Sequence, residues 1–230
     1  MSKKVTLSRR KVEAFVKCPR CFWLEVRHEI KQPESYPLAL NVAMDMLLKA
    51  EFDEYRARTK PHPILMEYRI PAKLFGDLPK LQEWRNNRKG LRWTDPATGH
   101  TLFGAVDDVL EFPDRTLAVL DYKSSGANEI TIYPSYQLQL DVYTFLLQKM
   151  GYKTRPKAYL AFFMAVKDGG FNGHLPFRGE VKEVETEPER VYELFQQAAE
   201  AAQSDRMPSS GEECDLCRWF DEANSILIKE

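Results

Sequence analysis

The chain is 230 residues long, 43% apolar and 29% charged, a composition that supports one sizeable core and excludes wholesale disorder or a fibrous habit. With a formal net charge of −1, the molecule offers no general attraction to a polyanion, so contact with nucleic acid has to rest on local basic surface. No run approaches the ~20 apolar residues of a membrane span, and the basic start lacks a signal-length apolar segment, so the reading is cytoplasmic with no membrane partner.

Taken in order, Lys3, Lys4, Arg9, Arg10 and Lys11 form a first basic cluster, and Arg85, Arg88, Lys89 and Arg92 a second. Both read first as solvated faces. Apolar positions Val12, Phe15, Val16, Phe22, Trp23, Leu24 and Val26, broken at Cys18-Pro19-Arg20-Cys21, predict two short helices, with Ser8 capping the first. Leu40, Ala43, Met44, Leu47, Leu48, Phe52 and Tyr55 keep helical spacing. They predict a long amphipathic helix from Leu38 to Arg58, ended by Pro61 and Pro63. Ile64 to Pro71 reads as a strand, and residues 72–100 as an irregular polar excursion carrying Trp84 and Trp93. Leu102–Phe112 and Thr116–Lys123 then read as a hairpin joined at Pro113-Asp114-Arg115. A helix over Gln137–Gln148, strands over Lys157–Val166 and Gly179–Glu185, and a helix over Pro188–Gln203 precede a cysteine-bearing tail. No repeat is visible. This order predicts the α/β class: a central mixed β-sheet flanked by helices, in a single domain of residues 1–230.

Asp121-Tyr122-Lys123 closes a predicted strand, and side chains two apart on a strand point to the same face. Gly104-Ala105-Val106-Asp107 brings another carboxylate onto the antiparallel neighbour. Two carboxylates and one ammonium therefore converge. Paired hard oxygen ligands are what Mg²⁺ or Mn²⁺ requires, and Lys123 beside such an ion can orient a water or stabilise developing charge. The chemistry indicated is phosphodiester hydrolysis, while an Asp-x-Lys at a strand end taken alone reads first as a surface ion pair.

Gly104-x-x-Asp107, then Asp121-Tyr122-Lys123, then Gln139-x-x-x-Tyr143 resembles the ordered motif set of RecB-type PD-(D/E)xK nucleases. The opening, with Leu7-Ser8, Phe15, Cys18-Pro19 and Phe22-Trp23, is similar to that of RecB-like and CRISPR-associated exonucleases. The resemblance implies a restriction-endonuclease-like core and catalytic roles for Asp107, Asp121, Lys123, Gln139 and Tyr143. It also implies a divalent cation on Asp107, Asp121 and the Tyr122 backbone carbonyl. In that family an early helix often carries a metal-binding histidine in a Gly-x-x-x-His arrangement. Here Asn41 and Asp45 stand at the corresponding places, so Asp45 reads either as a third acidic ligand or as a solvated residue. His28 and His62 lie off the family spacing.

Cys18 and Cys21 near one end and Cys214 and Cys217 near the other, with no export signal, point to metal ligation ahead of disulfides. Paired Cys-x-x-Cys units suit Zn²⁺ on spacing alone. The resemblance favours a [4Fe–4S] cluster, though its cysteines usually fall one early and three late. Either would be structural, clasping residues 1–30 to residues 205–230.

The expected function is a metal-dependent DNA nuclease, an exonuclease on single-stranded or frayed DNA. It would act in repair, recombination or CRISPR-type defence, with protein partners from a repair or CRISPR adaptation complex. The alternative is a catalytically inactive nucleic-acid-binding or assembly module of the same fold.

Overall fold

The first two helices are set by their caps. After a short strand β1 (Thr6–Ser8), the Ser8 side chain accepts the Lys11 N–H at 3.3 Å and starts α1 (Arg9–Lys17). Cys18 ends that helix and begins α2 (Pro19–His28), where Pro19 has no N–H to leave unpaired. The computed structural model describes residues 4–33 and 39–227. Lys3 of the first basic cluster and Leu38, the expected start of the long helix, lie outside the described residues.

The long amphipathic helix is α3 (Ala39–Ala57). The strand expected over Ile64–Pro71 is instead a helix, α4 (Pro63–Glu67). Pro63 occupies the first helical position, and the His62 ring nitrogen Nδ1 accepts the Ile64 N–H at 3.2 Å. That capped turn buries Ile64 and Leu65, which a β-strand would send to opposite faces. The expected excursion over residues 72–100 also contains regular structure: β2 (Lys73–Leu74), α5 (Leu78–Trp84) and β3 (Leu91–Thr94). The Asp77 carboxylate caps α5 through the Lys80 N–H at 3.0 Å, while Leu81 and Trp84 carry its buried face.

The expected strand Leu102–Phe112 is two strands, β4 (Thr101–Gly104) and β5 (Asp108–Glu111). The run is divided because β4 pairs in parallel with β1, whereas β5 pairs antiparallel with β6 (Leu117–Ser125). Between them, the Val106 N–H is taken by the Trp84 carbonyl at 3.2 Å. Asp107 therefore sits just before a strand and not within one. The rest follows the predicted order: α6 (Pro134–Lys149), β7 (Lys157–Ala165), β8 (Phe177–Glu185) and α7 (Glu189–Gln203). A further helix, α8 (Asp215–Leu227), carries the tail.

The chain forms two compact units. One consists of Met1–Tyr36, Thr94–Phe103 and Glu189–Glu230; within it α1 and α2 pack together and α2 packs on α7. The other consists of Pro37–Trp93 and Gly104–Pro188. It holds a five-stranded mixed sheet of order β2-β5-β6-β7-β8, in which only β6 and β7 run parallel, joined through α6. Strand β6 alternates between two faces. Ala118, Leu120 and Tyr122 pack with Leu48 and Phe52 of α3 and with Ile64 and Leu65 of α4. Asp121 and Lys123 lie on the other face, toward α6. Among the described residues no helix is long and apolar enough to cross a membrane.

Candidate active site and cysteine cluster

The register decides the acidic pair. Asp108 stands opposite Leu120 in the antiparallel ladder, so the next pair outward is Asp107 and Asp121. The Asp107 carboxylate accepts the Tyr122 N–H at 3.2 Å, which ties it to the end of β6. Asp121 is fully buried. Burial, and then the charge of Asp107 beside it, push its carboxyl up to about 7. A carboxyl so strained is relieved by a cation, and the donor set, two carboxylates with no thiol or imidazole, fits Mg²⁺ or Mn²⁺.

Lys123 forms an ion pair with Asp121 and donates to Gln139 Oε1 at 3.0 Å. Gln139, from α6, donates in turn to Asp121 Oδ1 at 2.8 Å and to the Tyr143 hydroxyl at 3.3 Å. Asp121, Lys123, Gln139 and Tyr143 thus make one connected group, because two strand residues on one face meet two helix residues one turn apart. The Lys123 ammonium also lies 4.6 Å from the centre of the Tyr136 ring, which stands edge to face with Tyr133.

Asp45 is at the margin of this group. It is ion-paired to Lys49, one helical turn further along α3, at 2.7 Å, and Lys49 reaches Asp107 at 3.0 Å. Burial pulls the Lys49 pKa down, but the two carboxylates outweigh it and hold it above the usual lysine value. Sequence reasoning did not mark Lys49, although its spacing of four from Asp45 on a helix was visible. Behind Asp107, Asp108 is fully buried and accepts from Arg56 at 2.6 and 2.8 Å, from Arg85 at 3.1 Å and from the Tyr122 hydroxyl at 2.6 Å. Arg85 also donates to the Asp107 backbone carbonyl at 2.6 Å and pairs with Asp53 at 2.7 Å. Arg85 therefore does not belong to a solvated basic face, as its cluster had been read. His62 stacks on Phe52 with ring centres 3.9 Å apart and bonds Glu51.

In the other unit Cys18, Cys21, Cys214 and Cys217 are all buried, and their sulfurs lie within 4.8 Å of one another. Each Cys-x-x-Cys begins a helix. Cys18 caps α2 with Cys21 in its first turn, and Cys214 precedes α8 with Cys217 in its first turn. Helix N-termini favour thiolates over thiols. Burial raises the Cys18 pKa, yet the N–H groups of Gly211 and Cys21, at 3.2 and 3.5 Å, bring it down to about 7. Cys21 is pushed up to about 11 by burial, and Cys217 higher still. None is in a disulfide. Four sulfurs so placed fit tetrahedral thiolate coordination of a single ion such as Zn²⁺; a [4Fe–4S] cluster, with one cysteine on each of four irons, would need them further apart.

Comparison with known families matches residues 41–221 to the model of the PD-(D/E)XK nuclease superfamily. A solved structure described as the crystal structure of SSO0001 is similar over 90% of this chain and 81% of its own, at 12% identity and a TM-score of 0.47. No curated protein matches.

Proposed function

Because the chain belongs to the PD-(D/E)XK nuclease superfamily, and its register sets Asp107 beside Asp121 with Lys123 attached, we propose that it is a metal-dependent nuclease hydrolysing DNA phosphodiesters. The observation that carries this reading is the acidic pair itself: an Asp121 raised by burial and then by its neighbour Asp107, with an ammonium in contact. Asp107, Asp121 and the Tyr122 carbonyl would hold Mg²⁺ or Mn²⁺. Bound there, the ion would lower the pKa of a water and polarise a phosphoryl oxygen.

The chain's own groups supply the rest. Lys123 keeps its ammonium at the acidic pair, where it can orient the attacking water or offset charge developing on the phosphate. Gln139 fixes both Lys123 and Asp121, and Tyr143 fixes Gln139. Tyr133 is half exposed beside Tyr136 and offers an unpaired base a ring to stack on. That favours single-stranded or frayed DNA, cut as an exonuclease would. The motif resemblance favours a cytoplasmic role in repair, recombination or CRISPR-type defence, alongside protein partners of such complexes. At the cysteines the motif resemblance favours a [4Fe–4S] cluster and the close spacing of the sulfurs favours a single Zn²⁺; either would be a structural clasp.

The test is cleavage of labelled single- and double-stranded DNA with Mg²⁺ or Mn²⁺. Lys123→Ala should lower the rate by about 10²–10³-fold while the thermal melt stays cooperative. Unchanged cleavage would remove the assignment. A second reading, a non-catalytic binding module, draws on the ion pair between Lys49 and Asp107. DNA binding with no cleavage over long incubation would favour it. Protein purified without air, followed by an absorption spectrum and metal analysis, separates the cluster from zinc.

A further inference from the structure

Lys49 is absent from the motif set, yet its ammonium stands at the acidic pair. It meets both carboxylate oxygens of Asp45, at 2.7 and 2.8 Å, and Asp107 Oδ1 at 3.0 Å. An ammonium has three N–H donors and no acceptor; this one bonds Asp45 Oδ2 and is held between the two carboxylates by ion pairs with Asp45 and Asp107. Its side chain is only 25% exposed, which keeps competing water away from most of it. A cation entering between Asp45 and Asp107 would have to displace an ammonium already paired with both.

We propose that Lys49 is a built-in counter-cation occupying the place of a second metal ion, so that the site takes one divalent ion, with Asp45 serving as the tether of Lys49. This rests on the nuclease reading above and deepens it.

The charge balance supports the proposal. With Asp121 ionised, as at pH 8, Asp45, Asp107 and Asp121 carry three negative charges, and Lys49 and Lys123 two positive ones. One divalent ion turns this group from one excess negative charge to one excess positive. A second would leave three positive charges within a few ångströms, at a steep Coulombic cost. Asp45 and Lys49 are spaced four apart on α3, so the tether is set by the helix itself and does not depend on a loop. The arrangement also accounts for Asp45 standing 45% exposed, with its oxygens spent on Lys49.

Counting bound Mn²⁺ decides the matter. The full chain, purified without air with its thiolate site intact, is titrated with Mn²⁺ at pH 8 while free Mn²⁺ is read by electron paramagnetic resonance. Wild type should bind one Mn²⁺ per chain at the acidic pair, and Asp121→Asn should abolish it. Lys49→Met and Lys49→Gln, both uncharged and of similar length, should bind the first Mn²⁺ about tenfold more tightly and take up a second. Lys49→Arg should still bind one. Thermal melts identify any variant that fails to fold, and either uncharged variant suffices. Two ions in wild type, or one ion at unchanged affinity in both uncharged variants, would overturn the role of Lys49 and leave the nuclease reading standing. No Mn²⁺ bound by wild type would remove both.

Discussion

Asp107 and Asp108 are chain neighbours with opposite surroundings. Asp107 faces the acidic pair, whereas Asp108 is enclosed by Arg56, Arg85 and the Tyr122 hydroxyl, with Asp53 balancing the second guanidinium. Burial, and then the Asp108 charge, hold the Tyr122 hydroxyl well above its ordinary pKa, and it donates to Asp108 at 2.6 Å. Removing one partner from a closed ionic network leaves buried charge without compensation. Asp108→Ala should therefore destabilise the fold by about 3–5 kcal/mol, and Tyr122→Phe, which removes one bond to a charged acceptor, by about 1.5–3 kcal/mol. Urea unfolding at pH 7 measures both, and equal losses would show that the guanidiniums find other partners. The contrast also marks what sequence can reveal. Asp121 and Lys123 share a strand face and Gln139 and Tyr143 a helix face, so the backbone period fixes their directions. Lys49 and Arg85 reach the same place on long flexible side chains from other elements, and no local spacing encodes that reach.

At the scale of elements, those that bury a regular apolar face were legible: α1, α2, α3, α6, α7, β6, β7 and β8 all occur where periodicity placed them. Most of the missed ones are short, although the 13-residue α8 reads in the sequence only as a cysteine-bearing tail. Helix α4 has five residues and was hidden by an apolar run that also fits a strand, while α5 and β3 lie in polar sequence and depend on caps and partners. The join between the turn after β3 and helix α7 is made by Asp95 together with a bond between His100 and Gln203 at 3.1 Å. Asp95, almost fully buried, accepts from the Ala97 N–H at 3.1 Å, Thr98 at 2.7 Å, Gln196 at 3.0 Å and Tyr192 at 3.3 Å. Burial alone would raise its carboxyl, but these donors outweigh it and hold it below the usual value. A carboxyl lowered by folding adds stability above its unfolded pKa of about 3.9 and loses it as pH falls through the folded value. Asp95→Asn should thus cost about 1–3 kcal/mol at pH 7, with the gap to wild type closing below about pH 4. Thermal melts at the two pH values check it; a gap independent of pH would place the acid sensitivity elsewhere.

At the scale of the molecule, the two cysteine pairs stand near opposite ends of the sequence and meet in one compact unit. Equal spacing within each pair was readable, but their meeting depends on α2 and α8 presenting two helix starts to one point. Gly211 lies at the centre of that meeting. Its N–H donates to Cys18 Sγ at 3.2 Å, and a Cβ there would fall 2.2 Å from the Lys17 carbonyl oxygen and 3.1 Å from the Cys18 backbone. Any larger residue must push the segment before Cys214 away from Cys18. An ion or cluster that the unfolded chain cannot hold stabilises the folded chain by its binding free energy. Losing about 3 kcal/mol of it should lower the melting temperature of a chain this size by about 6–12 °C. Gly211→Ala should produce such a fall and removal of the metal with a strong chelator at least as large a one, and chelation should lower the variant less than wild type, since both act on the same four thiolates. Two fully additive decreases would separate Gly211 from the thiolate site, and no decrease on chelation would mean that the four sulfurs stabilise this unit without a bound metal.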